Sequence, residues 1–108
     1  MDPATFEVRL TDSALGGLHE IDDYWFNRQE PDRGEQYVRD LIDTAEAELS
    51  SPDRAHRGRP VRAALLPETR EILVFKGSYR IIYRIAAADG IVHVLRFWYS
   101  HRDAPDGI

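Results

Sequence analysis

From Thr5 to Thr11 apolar and polar residues alternate, with Phe6, Val8 and Leu10 on one side and Glu7 and Arg9 on the other. That period of two predicts a short, half-buried first strand. Thr11, Asp12 or Ser13 can then cap a helix, because their side-chain oxygens accept from the free N–H groups of a first turn. Between Ala14 and about Arg28 the period lengthens. Leu15, Leu18, Ile21 and Trp25 recur at helical spacing among His19, Glu20, Asp22 and Asp23. This is an amphipathic helix, weakened by the pair Gly16-Gly17. Pro31 suits the start of a second helix, where its missing N–H costs no intrahelical bond, and Asp32 and Glu35 suit the electropositive end. The stripe Tyr37, Val38, Leu41, Ile42, Ala45 and Leu49 runs until Ser50-Ser51-Pro52 breaks it. Two such helices, a few residues apart, form an antiparallel hairpin that needs an apolar surface to cover.

Residues 53–67 contain Gly58, two prolines and four arginines, which predicts an irregular connector with a short strand near 63–66. The period then returns to two. Arg70 to Lys76, Tyr79 to Ala86 and Ile91 to Ser100 are the strand candidates, joined at Lys76-Gly77-Ser78 and Ala88-Asp89-Gly90. Asp-Gly favours the positive φ of a hairpin turn, so the last two strands pair antiparallel. Alternation places Tyr79, Ile81, Tyr83 and Ile85, with His93, Leu95, Phe97 and Tyr99, on the helix-covered face. Arg80, Ile82 and Arg84, with Val94, Arg96 and Trp98, fall on the other. That second set is too apolar for a wet face and too rich in arginine for a core, which suits a surface that binds a partner. The expected architecture is therefore α+β: an N-terminal strand and a two-helix hairpin packed on a mostly antiparallel sheet, as a single domain over residues 1–108.

Composition narrows the chemistry. The chain has no cysteine, one methionine and four histidines, so disulfides, thiolate metal sites and a cysteine nucleophile are excluded, and no metal or other cofactor is expected. No apolar run reaches the roughly 18 residues of a membrane span, and the opening residues lack the basic flank and apolar stretch of a secretion signal. A cytoplasmic protein without membrane partners is expected. The net charge of −5 hides a division: residues 1–53 carry 14 acids and 4 bases, while residues 54–108 carry 5 acids and 10 bases. An acidic partner would be drawn to the second half by its field.

The segment Gly77-Ser78-Tyr79-Arg80-Ile81-Ile82-Tyr83-Arg84-Ile85, then Val92-His93-Val94-Leu95-Arg96 and His101-Arg102-Asp103, resembles the C-terminal signature of the ParE/RelE superfamily of bacterial toxins. The order before it, one strand, two helices and a proline-containing loop, is similar across essentially the whole chain. The resemblance implies the toxin of a type II toxin–antitoxin module, neutralised by a cognate antitoxin in a toxin–antitoxin hetero-oligomer. It also implies one of two activities. RelE-like members cut messenger RNA on the ribosome with basic residues on the open sheet; ParE-like members poison DNA gyrase. Arg80 matches the sheet arginine and Arg102 lies near the C-terminal one. The strand positions of the RelE-like lysines hold Glu71 and Leu73, and no tyrosine follows Arg102. The ParE-like branch is the closer one.

Elementary chemistry agrees. Attack of a 2′-hydroxyl on a phosphodiester needs a proton acceptor, a proton donor and fixed positive charge. Arg80, Arg84 and Arg102 supply charge, but arginine is a poor proton shuttle. His101 is the one plausible acid–base group there, with Glu71 as a partner, so in a ribonuclease the candidate catalytic set is Arg80, His101, Arg102 and Glu71. The candidate surface for target or antitoxin is Arg80, Ile82, Arg84, Arg96, Trp98 and Arg102. Two other readings stay open: a ribosome-dependent mRNA endonuclease, and a divergent inactive protein-binding or nucleic-acid-binding module. Against that last class stands the acidic net charge. Each arginine also has a plainer role, Arg80 as a surface cation paired with Glu71, and Arg84 and Arg96 as partners of helix acids. Trp25 and Tyr37 read as helix-packing aromatics, and Arg57, Arg59 and Arg62 as a solvated loop run.

Overall fold

In the computed structural model, which describes residues 5–62 and 64–100, the first strand β1 (Glu7–Leu10) runs into helix α1 (Asp12–Asn27) through one threonine. Thr11 Oγ1 accepts from the Ala14 amide at 3.2 Å and donates to the Val94 carbonyl at 2.8 Å. Strand end, helix start and sheet are thus joined at a single hydroxyl, which is why the helix begins there. The chain reverses at Gln29, in the left-handed region at φ 63, and Pro31 opens α2 (Pro31–Leu49). Ser51 Oγ caps a short α3 (Pro52–Ala55), accepting from the Arg54 amide.

Strands β2 (Arg59–Pro60), β3 (Thr69–Val74), β4 (Tyr79–Ala86) and β5 (Ile91–Tyr99) complete a five-stranded sheet in the order β1-β5-β4-β3-β2. Only the β1–β5 pair is parallel; the other three pairs are antiparallel. Leu18 and Ile21 of α1 and Leu41, Ala45 and Leu49 of α2 are buried with Ile81, Tyr83, Ile85, Val92, Val94 and Phe97 of the sheet. Burying a leucine of this kind stabilises the fold by roughly 2 kcal/mol. Gly17 is buried against β5, and a side chain there would meet the Phe97 carbonyl. Trp25 stacks on Tyr37 at 5.5 Å, and Tyr37 and Tyr99 each lie 5.3 Å from Tyr79. Both helix aromatics therefore pack as expected, and burial raises the pKa of Tyr79.

The α+β architecture follows the expectation, with three departures. The short strand lies at Arg59–Pro60 rather than 63–66, because pairing opposite Glu71 and Arg70 satisfies its backbone there. Val61 N–H then donates to the Thr69 carbonyl and closes the loop that follows. The β3–β4 connection starts earlier than expected: β3 ends at Val74, and Phe75, Lys76 and Gly77 turn at φ of 53, 57 and 85. The last hairpin does turn at Asp89-Gly90, through a 3-10 turn (Ala87–Asp89) with Gly90 at φ 68.

The third departure changes a face. The β4–β5 register runs Arg84↔His93 and Tyr83↔Val94, then resumes at Ile82↔Arg96, so Leu95 is the extra residue of a β-bulge. Alternation shifts by one at that point. His93 and Leu95 are not on the helix-covered face with Phe97 and Tyr99, as the alternation implied; Val94 is buried there instead, and His93 lies opposite Arg84 on the outer side.

Candidate functional site

Directly paired strand residues share a face, so the register lays out the side of the sheet away from the helix hairpin. One row reads Arg9, His93, Arg84 and Thr69 from β1 to β3. The next reads Arg96, Ile82, Glu71 and Arg59, and a third Trp98, Arg80 and Leu73. Arg80, Ile82, Arg84, Arg96 and Trp98 of the expected surface are thus brought together, with Glu71 among them. His101 and Arg102 lie outside the described residues.

The face is not uniformly open. Ile82 is only 2% exposed although it points away from the core cluster, whereas Leu73 is 49% exposed. Its strand neighbours Arg80 and Arg84 and its cross-strand partners Glu71 and Arg96 surround Ile82. Ile82 is therefore the apolar floor of a charged surface, and long side chains must move before a partner can touch it.

Charges on this face fall into two groups. Glu71 accepts a hydrogen bond from Arg59 Nη2 at 3.0 Å, and Arg80 Nη1 stands 3.8 Å from its other oxygen. Arg80 thus has the plainer role foreseen for it as well. At the β1 edge Arg9 makes two 3.0 Å hydrogen bonds to Glu7, and these hold the Glu7 carboxyl below its usual pKa. Between the two pairs lie Arg84 and Arg96. Among the described residues no carboxylate pairs with either, so the helix acids expected to neutralise them do not. The Arg84 Nε is buried and has no hydrogen-bond partner.

Sequence reasoning misses two members of this face. His93 reads as a core residue because a bulge leaves no mark in an alternation of apolar and polar residues. Arg59 reads as a solvated loop arginine; the ion pair with Glu71 across β2–β3 is what distinguishes it. Leu73, notable in sequence only for replacing a lysine, is the exposed apolar residue beside Arg80. On the opposite side, Tyr83 donates to the Ala55 carbonyl at 2.5 Å, and burial pushes its hydroxyl up to about 12. Arg70 Nη1 donates to the Gly58 carbonyl on that same side, so the β3 cation belongs to the helix face.

Chemically the outer face can hold anions and apolar groups side by side. Its described residues supply fixed guanidinium charge, one imidazole and two engaged carboxylates, Glu71 and, at the β1 edge, Glu7. No three His, Asp or Glu side chains gather as a metal site among the described residues, and no described helix is long and apolar enough to cross a membrane.

Three comparisons bear on this arrangement. The family model described as the ParE toxin of type II toxin-antitoxin system, parDE, matches residues 8–104. The chromosomal ParDE toxin–antitoxin system of Pseudomonas aeruginosa contains a similar chain, with a TM-score of 0.74 at 17% identity, covering 92% of this chain and 100% of that one. A chain of the RelBE2 toxin–antitoxin complex from Mycobacterium tuberculosis gives 0.66 at 26% identity, covering 92% and 97%. One from the intact Escherichia coli RelBE complex gives 0.52 at 16%, covering 90% and 99%. No curated protein matches the sequence.

Proposed function

This chain belongs to the ParE toxin family of type II toxin–antitoxin systems, and from that membership we propose that it inhibits DNA gyrase in the cytoplasm and is neutralised by a cognate antitoxin. The observation that carries the choice of target is the state of Glu71. It stands mid-sheet between Arg59 and Arg80, and Leu73 is the half-exposed neighbour of Arg80. A face that cleaves RNA concentrates positive charge where the transition state is most negative. Here a carboxylate and a leucine stand where the resemblance to RelE-like toxins implies cations.

The antitoxin is the partner of the same outer face. Arg80, Arg84 and Arg96 beside Leu73 and Trp98 suit a segment that alternates acidic and apolar side chains. Charge pairing of this kind sets orientation and association rate more than affinity. Solved relatives that are toxin–antitoxin complexes support the pairing.

The test is a pair of assays on purified protein. Supercoiling by gyrase should be inhibited, or its cleaved-DNA complex trapped, while ribosome-bound messenger RNA stays intact. Codon-dependent mRNA cleavage, with gyrase unaffected at saturating protein, would reverse the assignment. One observation favours that second reading, a ribosome-dependent mRNA endonuclease: His93 stands on the outer face between Arg9 and Arg84, an imidazole able to move a proton beside fixed positive charge.

A further inference from the structure

The β-bulge has a consequence for recognition that does not depend on which large target the protein poisons. Were β5 a regular strand without the bulge at Leu95, His93 and Arg96, three positions apart, would lie on opposite faces. With it, both lie on the outer face, next to Arg84 of β4. Arg84 is directly opposite His93, at which spacing Cβ atoms stand about 5 Å apart. It is two residues from Ile82, the register partner of Arg96. Bulges recur beside functional sites because they re-aim a side chain in this way.

We propose that Arg84, His93 and Arg96 form a binding site for a phosphate group. Three observations carry it. The cations at its two ends are not engaged by any described carboxylate, in contrast to Arg9, Arg59 and Arg80. The Arg84 Nε–H is shut away from water without an acceptor, a state that folded proteins seldom leave unanswered. And Ile82, 2% exposed between the two arginines, is an apolar floor that keeps the local dielectric low. A planar guanidinium presents parallel N–H donors that match two oxygens of a phosphate, and two such forks flanking an imidazole donor suit a tetrahedral oxyanion better than a single carboxylate. The chemistry is shared by a free phosphate ester and by one phosphate of a nucleic-acid strand.

The experiment is a titration of the isolated chain, followed through the Arg84 Nε–Hε and His93 ring NMR signals, first with inorganic phosphate and then with a short DNA duplex. Both signals should shift saturably with phosphate. Arg84→Gln and Arg96→Gln should each weaken binding by about tenfold or more, as expected for loss of a charge-assisted contact, while Arg57→Gln should leave it unchanged. Arg84→Lys keeps the charge without the fork and should fall between. If Arg84→Gln does not fold, Arg96→Gln carries the test. A nucleic-acid source is indicated if the duplex displaces phosphate and each arginine variant lowers the dependence of log K on log salt by roughly one. A small phosphate ester is indicated if phosphate shifts the signals and the duplex leaves them in place. No saturable shift with either probe, or an equal loss in Arg57→Gln, overturns the site.

Discussion

Replacing each of two adjacent glycines by alanine should move stability in opposite directions. Gly16 and Gly17 both lie in α1, where glycine is worse than alanine by about 1 kcal/mol through backbone entropy alone. At Gly16 a β-carbon would meet nothing within 4 Å. Gly16→Ala should therefore raise stability by about 0.5–1 kcal/mol, or roughly 4 °C in Tm for a domain of this size. At Gly17 the same carbon would stand 2.9 Å from the Phe97 carbonyl oxygen and 3.5 Å from its nitrogen. Those atoms belong to a strand paired to β4, so they cannot step aside as a flexible side chain would. Relief requires lifting α1, which loosens Leu18 and Ile21 against the sheet. Overpacking of this sort costs about 1–3 kcal/mol, so after a helix gain of about 1 kcal/mol Gly17→Ala should lose up to about 2 kcal/mol. Urea unfolding of the two variants, with m-values matching the parent, reads the difference directly. If both variants are stabilised, the close approach of α1 to β5 is wrong.

Tyr83→Phe should lose about 1 kcal/mol at neutral pH, because the buried hydroxyl bonds the Ala55 carbonyl. Its raised pKa adds a pH signature. The unfolded chain releases this proton near pH 10 and the folded one near 12, so parent stability should fall as pH rises through that window, and fall less steeply in the variant. Arg80→Ala should weaken toxicity in cells more than Arg57→Ala, whose side chain makes only an exposed pair with Asp53. Growth rescue should be scored with and without a co-expressed cognate antitoxin, and equal effects of the two substitutions would remove Arg80 from the working surface.

How much of this is legible in the sequence depends on whether the information is local. The helix hairpin and the β4–β5 pair are readable because period and turn residues lie within single elements: Pro31 opens α2 and Gly90 takes the left-handed turn. Gly16-Gly17 reads in sequence only as a weakness. Half of it is a packing requirement, and that appears only when β5, far along the chain, is in place. Strand β2 is misplaced by sequence pattern for the same reason, since two residues gain strand geometry from Glu71 and Arg70 and carry little pattern of their own.

The outer face shows the limit most clearly, because composition names its residues and register decides their states. Arg80, Arg84 and Arg96 are chemically identical in sequence. One is tied to Glu71, while the other two flank a histidine that a single inserted residue turns outward. A cation held by a carboxylate offers a partner less field than an unengaged one, and releasing it requires breaking a pair whose acid is mostly buried. The face is consequently graded from a partly neutralised edge, where Arg59 and Arg80 share Glu71, to a more electropositive centre at Arg84 and Arg96. An incoming acidic group meets the stronger attraction at Arg84 and Arg96, while Leu73 offers an apolar contact at the neutralised side. The polarity of the surface, which orients any partner, is thus set by Glu71 and by the Leu95 bulge as much as by the arginines themselves.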